Sequence, residues 1–86
     1  TTQNNLLGTS SIKTYVFSRP LNLGSKGTEV SELQKRLIIL GVYSGPVTGT
    51  FGQLTKTAVK KLQAKYKLEQ IGSVGPATRK ILNGVI

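Results

Sequence analysis

A glycine-spaced phrase occurs three times in this chain of 86 residues. It reads Gly-x-x-Gly-x-x-Thr at 49–55 and at 72–78, and a copy at 24–30 ends in valine instead of threonine. The copies start roughly 25 residues apart, within the range expected for repeated structural units. Glycine tolerates positive φ angles and lets two stretches of backbone approach closely. Each phrase therefore predicts a turn, and its last residue is β-branched and points towards the core.

A helical period comes after each phrase. After the first, apolar residues recur three and four positions apart, which is the period of one helix face. This stripe consists of Val30, Leu33, Leu37 and Leu40. The corresponding residues of the second stripe are Thr55, Ala58, Val59, Leu62 and Tyr66, and those of the third are Ile81 and Leu82. The pattern predicts helices near 28–40, 53–66 and 76–83.

Three short amphipathic helices can bury their apolar faces only against one another, so the predicted fold is all-α. We expect a small three-helix bundle of two longer helices and one short helix, with Gly-rich turns and an extended N-terminal tail. Residues 1–14 are polar and lack an apolar period, which predicts a linker or flexible tail, and residues 15–86 form the domain. Phe17, Leu21 and Leu23 are expected to lie against the domain. Because the chain begins at Thr1, we expect a processed product or a module of a longer protein.

The charge balance of the chain indicates which kind of molecule it attracts. Twelve Lys and Arg residues against three acidic residues give a net charge of +9. Such a surface attracts polyanions, whether nucleic acid, anionic lipid or acidic wall polymers. No apolar run approaches the roughly 18 residues of a membrane span.

The residue inventory argues against catalysis. The chain contains no His, Cys or Asp, which excludes Ser-His-Asp triads, Cys-His pairs and histidine-based metal sites. Glu29 and Glu32 are better explained as complements to a helix start, with Glu32 able to pair with Arg36 one turn on. We therefore predict no catalytic residues, no metal ligands and no cofactor.

Three stretches of the chain resemble the peptidoglycan-binding domain 1 family. The first stretch is Leu21–Tyr43, which is similar to the opening half of the family's domain. The second stretch, at 48–63, is similar to the family phrase D-G-x-F-G-x-x-T-x-x-A-V-x-x-F-Q and reads T-G-T-F-G-Q-L-T-K-T-A-V-K-K-L-Q. The third, at 71–83, is similar to the closing G-x-V-G-x-x-T-x-x-x-L. Together they cover roughly residues 17–83. The usual Asp before the phrase is Thr48 in one copy and Ile71 in the other; Thr48 can still accept a backbone N–H, whereas Ile71 cannot.

The resemblance implies a non-catalytic module that binds the glycan strand or stem peptide of bacterial peptidoglycan and targets a larger lytic or envelope protein to the wall. Anionic wall polymers are a further expected partner. The implied location is secreted or cell envelope, in the periplasm or cell wall, and a phage-encoded origin is open. We expect a monomeric module of a larger protein.

Two alternatives stay open: a small basic nucleic-acid-binding helical domain, or a spacer that has lost wall binding. The connection from Tyr66 to Pro76 is far longer than the tight turn of a helix-turn-helix, which disfavours the first.

Candidate ligand contacts concentrate in the loop from Gly41 to Gly52, since loops on a rigid scaffold commonly carry binding groups. Tyr43 is predicted to stack on a sugar or peptide face, the hydroxyls to bond the ligand, and Arg79 or a second-helix lysine to meet a carboxylate. The predicted set is Tyr43, Ser44, Thr48, Thr50, Lys56, Lys60 and Arg79. Gln34 and Gln63 each come directly after a core leucine, which favours a structural role in tying down a neighbouring loop.

Overall fold

The computed structural model describes residues 15–84, and the predicted tail at 1–14 lies outside this range. Three helices succeed one another: α1 (Thr28–Ile39), α2 (Gln53–Lys65) and α3 (Pro76–Gly84). Each begins directly after the second glycine of a phrase, and the bounds agree with the predicted ones to within one residue. The residues described contain no named strand, so the all-α prediction is confirmed. No helix within 15–84 has the length and apolar character needed to cross a bilayer.

The core consists of the predicted stripes. Val30, Leu33 and Leu37 of α1 meet residues of the other two helices in one buried cluster, which also contains Phe51 and the N-terminal Phe17. The buried members from α2, α3 and the third phrase are Ala58, Val59, Leu62, Val74 and Leu82. The threonines that end the second and third phrases, Thr55 and Thr78, are buried as predicted.

One member of the predicted second stripe faces solvent. Tyr66 is exposed, because α2 ends at Lys65 and the next residue leaves the helical path. Lys67 then adopts a φ of 59°, the left-handed conformation typical of a helix end.

The stretch from 15 to 24 is held against the bundle at both ends of α3. The Phe17 N–H donates to Asn83 Oδ1 at 2.7 Å, and Asn83 Nδ2 donates to the Phe17 carbonyl at 3.0 Å. Leu21 and Val74 exchange backbone hydrogen bonds as an isolated antiparallel bridge. The prediction for Phe17 and Leu21 is thus confirmed, but Leu23 is 52% exposed. A turn closed by the Ser25 N–H on the Asn22 carbonyl carries Leu23 away from the core.

The charged residues of α1 pair differently from the prediction. Glu32 bonds Lys35 at 3.4 Å rather than Arg36. Arg36 is 4% exposed: its guanidinium donates to the Leu82 carbonyl and lies 5.6 Å from the centre of the Phe17 ring. Position 36 falls next to Leu37 on the buried side of α1, so the side chain turns inwards and joins α1 to α3.

Candidate functional site

The loop from Gly41 to Gly52 is held by one buried side chain. Gln34 of α1 accepts hydrogen bonds from the N–H groups of Thr48 and Gly49 at 2.9 and 3.0 Å. Its amide nitrogen donates to the Thr50 carbonyl and to Thr55 Oγ1, both at 3.0 Å. Buried amides of this kind fix the backbone that they bond, since an unmade bond is costly. The predicted structural role of Gln34 is confirmed.

The third phrase repeats this arrangement. Gln63 of α2 accepts from the Gly72 N–H at 3.0 Å and donates to the Ser73 carbonyl and Thr78 Oγ1 at 2.9 and 3.1 Å. The sequence repeat is therefore a structural repeat: a buried glutamine on one helix binds the turn that starts the next helix. The predicted role of Gln63 is confirmed as well.

Backbone hydrogen bonds join the first and second phrases. Gly24 N–H donates to the Phe51 carbonyl at 2.9 Å, and Phe51 N–H donates to the Ser25 carbonyl at 2.8 Å. Gly49 has a φ of +79°, and a methyl group there would lie 3.0 Å from Ser31 Oγ. This position therefore requires glycine for its backbone angle, and a side chain would crowd α1. The end of the loop is rigid as a result.

Two adjacent cavities open between this loop and α2, with volumes of about 300 and 380 Å³. Tyr43 and Leu54 line both cavities, and we call the combined depression the Tyr43 groove. The smaller cavity is completed by Val42, Ser44, Gly45, Thr57, Ala58 and Lys61. The larger one is completed by Pro46, Thr48, Thr50, Gly52, Gln53 and Thr55. Volumes of this size are at the lower end of those that hold small ligands.

Tyr43 is shared by the two cavities. Its hydroxyl donates to the Pro46 carbonyl at 2.7 Å, and its ring packs so closely on Gly45 that a methyl group there would lie 2.9 Å from Cζ. Tyr43 is 8% exposed, so only a small part of it is accessible from the groove. The exposed apolar surface comes instead from Leu54, which is 65% exposed.

The hydroxyl groups of the groove differ in availability. Thr48 Oγ1 accepts from the Thr50 N–H at 3.2 Å, as expected for a residue that replaces the family's Asp, and also donates to the Thr50 carbonyl at 3.2 Å. Within residues 15–84, no hydrogen bond engages the side-chain hydroxyls of Ser44, Thr50 or Thr57. The Thr48 hydroxyl is therefore used in hydrogen bonds within the loop, whereas the hydroxyls of Ser44, Thr50 and Thr57 can bond a ligand.

The predicted cationic residues do not all meet at this groove. Lys61 lines it, although it was absent from the predicted set. Lys56 and Lys60 lie on another face of α2, against Gly72 of the third phrase. Arg79 donates to the Val74 carbonyl at 3.4 Å and does not line either cavity. The structure thus brings Tyr43, Ser44, Thr48 and Thr50 together and separates them from Lys56, Lys60 and Arg79.

Leu54, Thr57 and Lys61 of the groove were not among the residues predicted from the sequence. They recur three and four positions apart along α2, beside the buried stripe rather than in it. The available signal was Leu54, a large apolar residue one position away from a stripe that already accounts for the core. Leu54 is 65% exposed and lines both cavities, so it offers an apolar contact to a ligand held there.

Electrostatics distinguish the two sides of the molecule. Both ion pairs found among residues 15–84 involve carboxylates of α1, with Arg19 near Glu29 and Lys35 near Glu32. Burial, and then the charge and hydrogen bond of Glu29, raise the pKa of the Tyr15 hydroxyl above its usual value of 10.0. Both carboxylates pair with residues outside α2, whose own surface carries lysines. Within residues 15–84, no group of three or more His, Cys, Asp or Glu side chains could hold a metal ion.

Comparison with known proteins finds relatives that match most of this chain. The chain is 39% identical over 72 residues to the spore cortex-lytic enzyme of Oceanobacillus iheyensis, covering 83% of this chain and 26% of that protein. It is also 39% identical over 69 residues to the zinc D-Ala-D-Ala carboxypeptidase of Streptomyces albus G, covering 74% of this chain and 26% of that protein. The chain thus spans about a quarter of the length of these curated relatives.

Solved structures agree in fold. The N-terminal domain of SleB matches with a TM-score of 0.75 and 35% identity, covering 79% of this chain and 93% of that one. The endolysin of Burkholderia AP3 phage matches with a TM-score of 0.73 and 35% identity, covering 77% of this chain and 25% of that one. The peptidoglycan binding domain model matches residues 26–82, which include all of α1 and α2 and most of α3. The chain therefore belongs to the peptidoglycan binding domain family.

Proposed function

We propose that this chain is the non-catalytic wall-binding module of a longer wall-lytic or envelope protein. The family match and the relatives, which are enzymes about four times as long as the matched segment, support this role. The three glutamates support it too: Glu29 accepts from the N–H groups of Ser18 and Arg19, Glu32 pairs with Lys35, and Glu69 forms no ion pair within residues 15–84. The module would act in the extracellular or envelope compartment, where its polymer is found.

The observation that carries the proposal is the Tyr43 groove itself. Three unengaged hydroxyls, those of Ser44, Thr50 and Thr57, line the same two cavities as the exposed side chain of Leu54. Sugars and short peptides present alternating polar and apolar surfaces, which this combination matches. The small accessible part of Tyr43, which lines both cavities, would contact the ligand as well.

Lys61 supplies the charge of the groove. It lines the cavity beside Ser44 and Thr57, so its ammonium group can meet a carboxylate of the stem peptide. We assign this contact to Lys61 rather than to Arg79, because Arg79 lies outside both cavities. The hydroxyls would then bond the neighbouring sugar or amide groups.

A single site of this kind binds weakly. The groove is shallow and open, and few polar groups converge in it, so the affinity for one disaccharide-peptide unit should be in the range of roughly 0.1–1 mM. Retention on the wall results from the repetition of the unit along the polymer and from the tethered enzyme, since linked contacts raise the effective concentration. The module would therefore localise its parent protein without fixing it.

The test is sedimentation with purified peptidoglycan from which teichoic acid has been removed. Leu54→Ser should lower the bound fraction at least about fivefold, since the main apolar contact is lost. Ile71→Ser is the matched control, because Ile71 is 53% exposed but lies away from the groove, and it should bind like the wild type.

Two outcomes would contradict the proposal. One is failure of the wild-type chain to sediment with peptidoglycan at moderate salt. The other is an equal loss in both variants, which would indicate general surface adhesion. Duplex DNA serves as the competing polymer, and its binding is expected to fall steeply with salt.

A further inference from the structure

The side chains of Lys56 and Lys60 converge over Gly72. A methyl group on Gly72 would lie 2.8 Å from Lys56 Cγ, 3.1 Å from Lys56 Cε and 3.2 Å from Lys60 Cε. Both aliphatic stems therefore run across the same buried backbone position, and both Cε atoms lie beside it, so the two ammonium groups are carried to the same part of the surface. Gly72 is itself fixed by its hydrogen bond to Gln63. The two positive charges thus sit on a rigid support.

Neither ammonium group has a carboxylate partner in the part of the chain that the structure describes. The two ion pairs there use Glu29 and Glu32, both on α1, and Glu69 forms none. Like charges one helical turn apart destabilise a helix, so this arrangement has a cost. An anion with several oxygen atoms offsets that cost by accepting a charge-assisted hydrogen bond from each lysine.

We propose that Lys56 and Lys60 form an anion site that binds the phosphodiester groups of a negatively charged wall polymer. The site is separate from the Tyr43 groove, which lies on the face of α2 that carries Leu54, Thr57 and Lys61. A phosphodiester suits the pair because its two free oxygens can each face one ammonium group. It also recurs at regular intervals along such a polymer, so weak single contacts add up.

The module would then contact two components of the wall at once, and this dual contact rests on the proposed wall-binding function. Peptidoglycan occupies the groove, and an anionic polymer lies across the third phrase, beside Gly72. The net charge of +9 draws the polymer towards the molecule, and the lysine pair provides a defined contact. Because the second site is tested with a polymer free of peptidoglycan, its failure and the failure of the groove are distinguishable.

The experiment is calorimetric titration of the full 86-residue chain with purified glycerol-phosphate teichoic acid at low salt. The double variant Lys56→Gln/Lys60→Gln should bind roughly tenfold more weakly, since two charge-assisted hydrogen bonds are lost. Lys56→Arg/Lys60→Arg keeps both charges and should stay within about threefold of the wild type. Circular dichroism checks that each variant is folded.

The matched control is Lys65→Gln/Lys67→Gln, which removes the same charge from exposed positions at the end of α2 and just after it. It should weaken binding less than about threefold, because it acts only through the general field. Sedimentation of all variants with teichoic-acid-free peptidoglycan should be unchanged. Equal losses in the two glutamine pairs would overturn the proposal, as would equal affinity for duplex DNA at the same phosphate concentration or no binding of teichoic acid by the wild type.

Discussion

Replacement of Gln34 by leucine tests the clamp that shapes the groove. Gln34 is fully buried and makes five hydrogen bonds of 2.9–3.3 Å to residues 48–55, two as acceptor and three as donor. Leucine has a similar size and keeps the contact with the core but cannot replace any of these bonds. The N–H groups of Thr48 and Gly49 would lose their partner, and the Thr50 carbonyl would keep only its bond from the Thr48 hydroxyl.

The expected cost can be worked out from these contacts. Each net hydrogen bond contributes about 1 kcal/mol, and a buried group left without a partner costs somewhat more. Thr48 and Thr50 are exposed at least in part and can recover water, whereas the contact with Thr55 is buried. We therefore expect the free energy of unfolding to fall by about 3 kcal/mol. A domain of this size has a total of roughly 4–10 kcal/mol, so the variant would be close to unfolding at physiological temperature.

Urea denaturation followed by circular dichroism measures this change. Gln70→Leu is the matched control, because Gln70 is exposed, and it should stay within about 0.5 kcal/mol of the wild type. The urea dependence of the free energy should be similar in all three proteins. A decrease below about 1 kcal/mol for Gln34→Leu would refute the reasoning and indicate that the glycine turn and the backbone bonds hold the loop without the glutamine.

Three further predictions concern other contacts. Arg36→Met keeps the buried stem but leaves the Leu82 carbonyl without its guanidinium partner, so thermal or urea melts should show a loss of about 2 kcal/mol. The pKa of Tyr15 is raised in the folded state, so its contribution to stability is present below the unfolded value near 10 and is lost as the pH rises through the folded value. Tyr15→Phe should therefore reduce the alkaline decline of stability, measured as the difference between the two proteins from about pH 9 to 12. Gly45→Ala should displace the Tyr43 ring and weaken peptidoglycan sedimentation severalfold, while Gly75→Ala, where an added methyl group meets no atom within 4 Å and which lies outside the groove, should bind as the wild type does.

The helices were predictable because their signals are local. Glycine before each helix and a 3.6-residue period after it are properties of neighbouring residues, and all three helices begin where those signals lie. The threonines at the helix starts and the roles of Gln34 and Gln63 were also predictable, since both derive from the repeated phrase. Tyr66 differs because the last residue of a helix is set by the packing of the segment beyond it, and helix ends vary by a residue or two.

The inward turn of Arg36 was not predictable from spacing. An arginine four residues after a glutamate on a helix usually pairs with it in solvent. In this fold, the end of α3 supplies the Leu82 carbonyl and the N-terminal stretch supplies the Phe17 ring, both far away in the chain. Only tertiary packing decides between these partners.

The loop side of the Tyr43 groove was predictable, and its α2 side was not, because the α2 side depends on tertiary packing. Its loop side is indicated by composition, and Ser44 and Thr50 of that loop line the cavities. Its α2 side depends on how the helix is rotated relative to the loop, which the core stripe settles only approximately. Lys56 and Lys60 therefore face the third phrase, and Lys61 faces the groove.

The most direct test of the Tyr43 groove is a nuclear magnetic resonance titration of the ¹⁵N-labelled chain with a soluble disaccharide-peptide from teichoic-acid-free wall. The proposed function predicts the largest amide shifts at Ser44, Thr50, Leu54, Thr57 and Lys61, with half-saturation at roughly 0.1–1 mM ligand. Gly72 and its neighbours should shift little, because they lie on another face of α2. Shifts that concentrate at 71–80 and leave the groove unchanged would contradict the assignment of peptidoglycan to this groove.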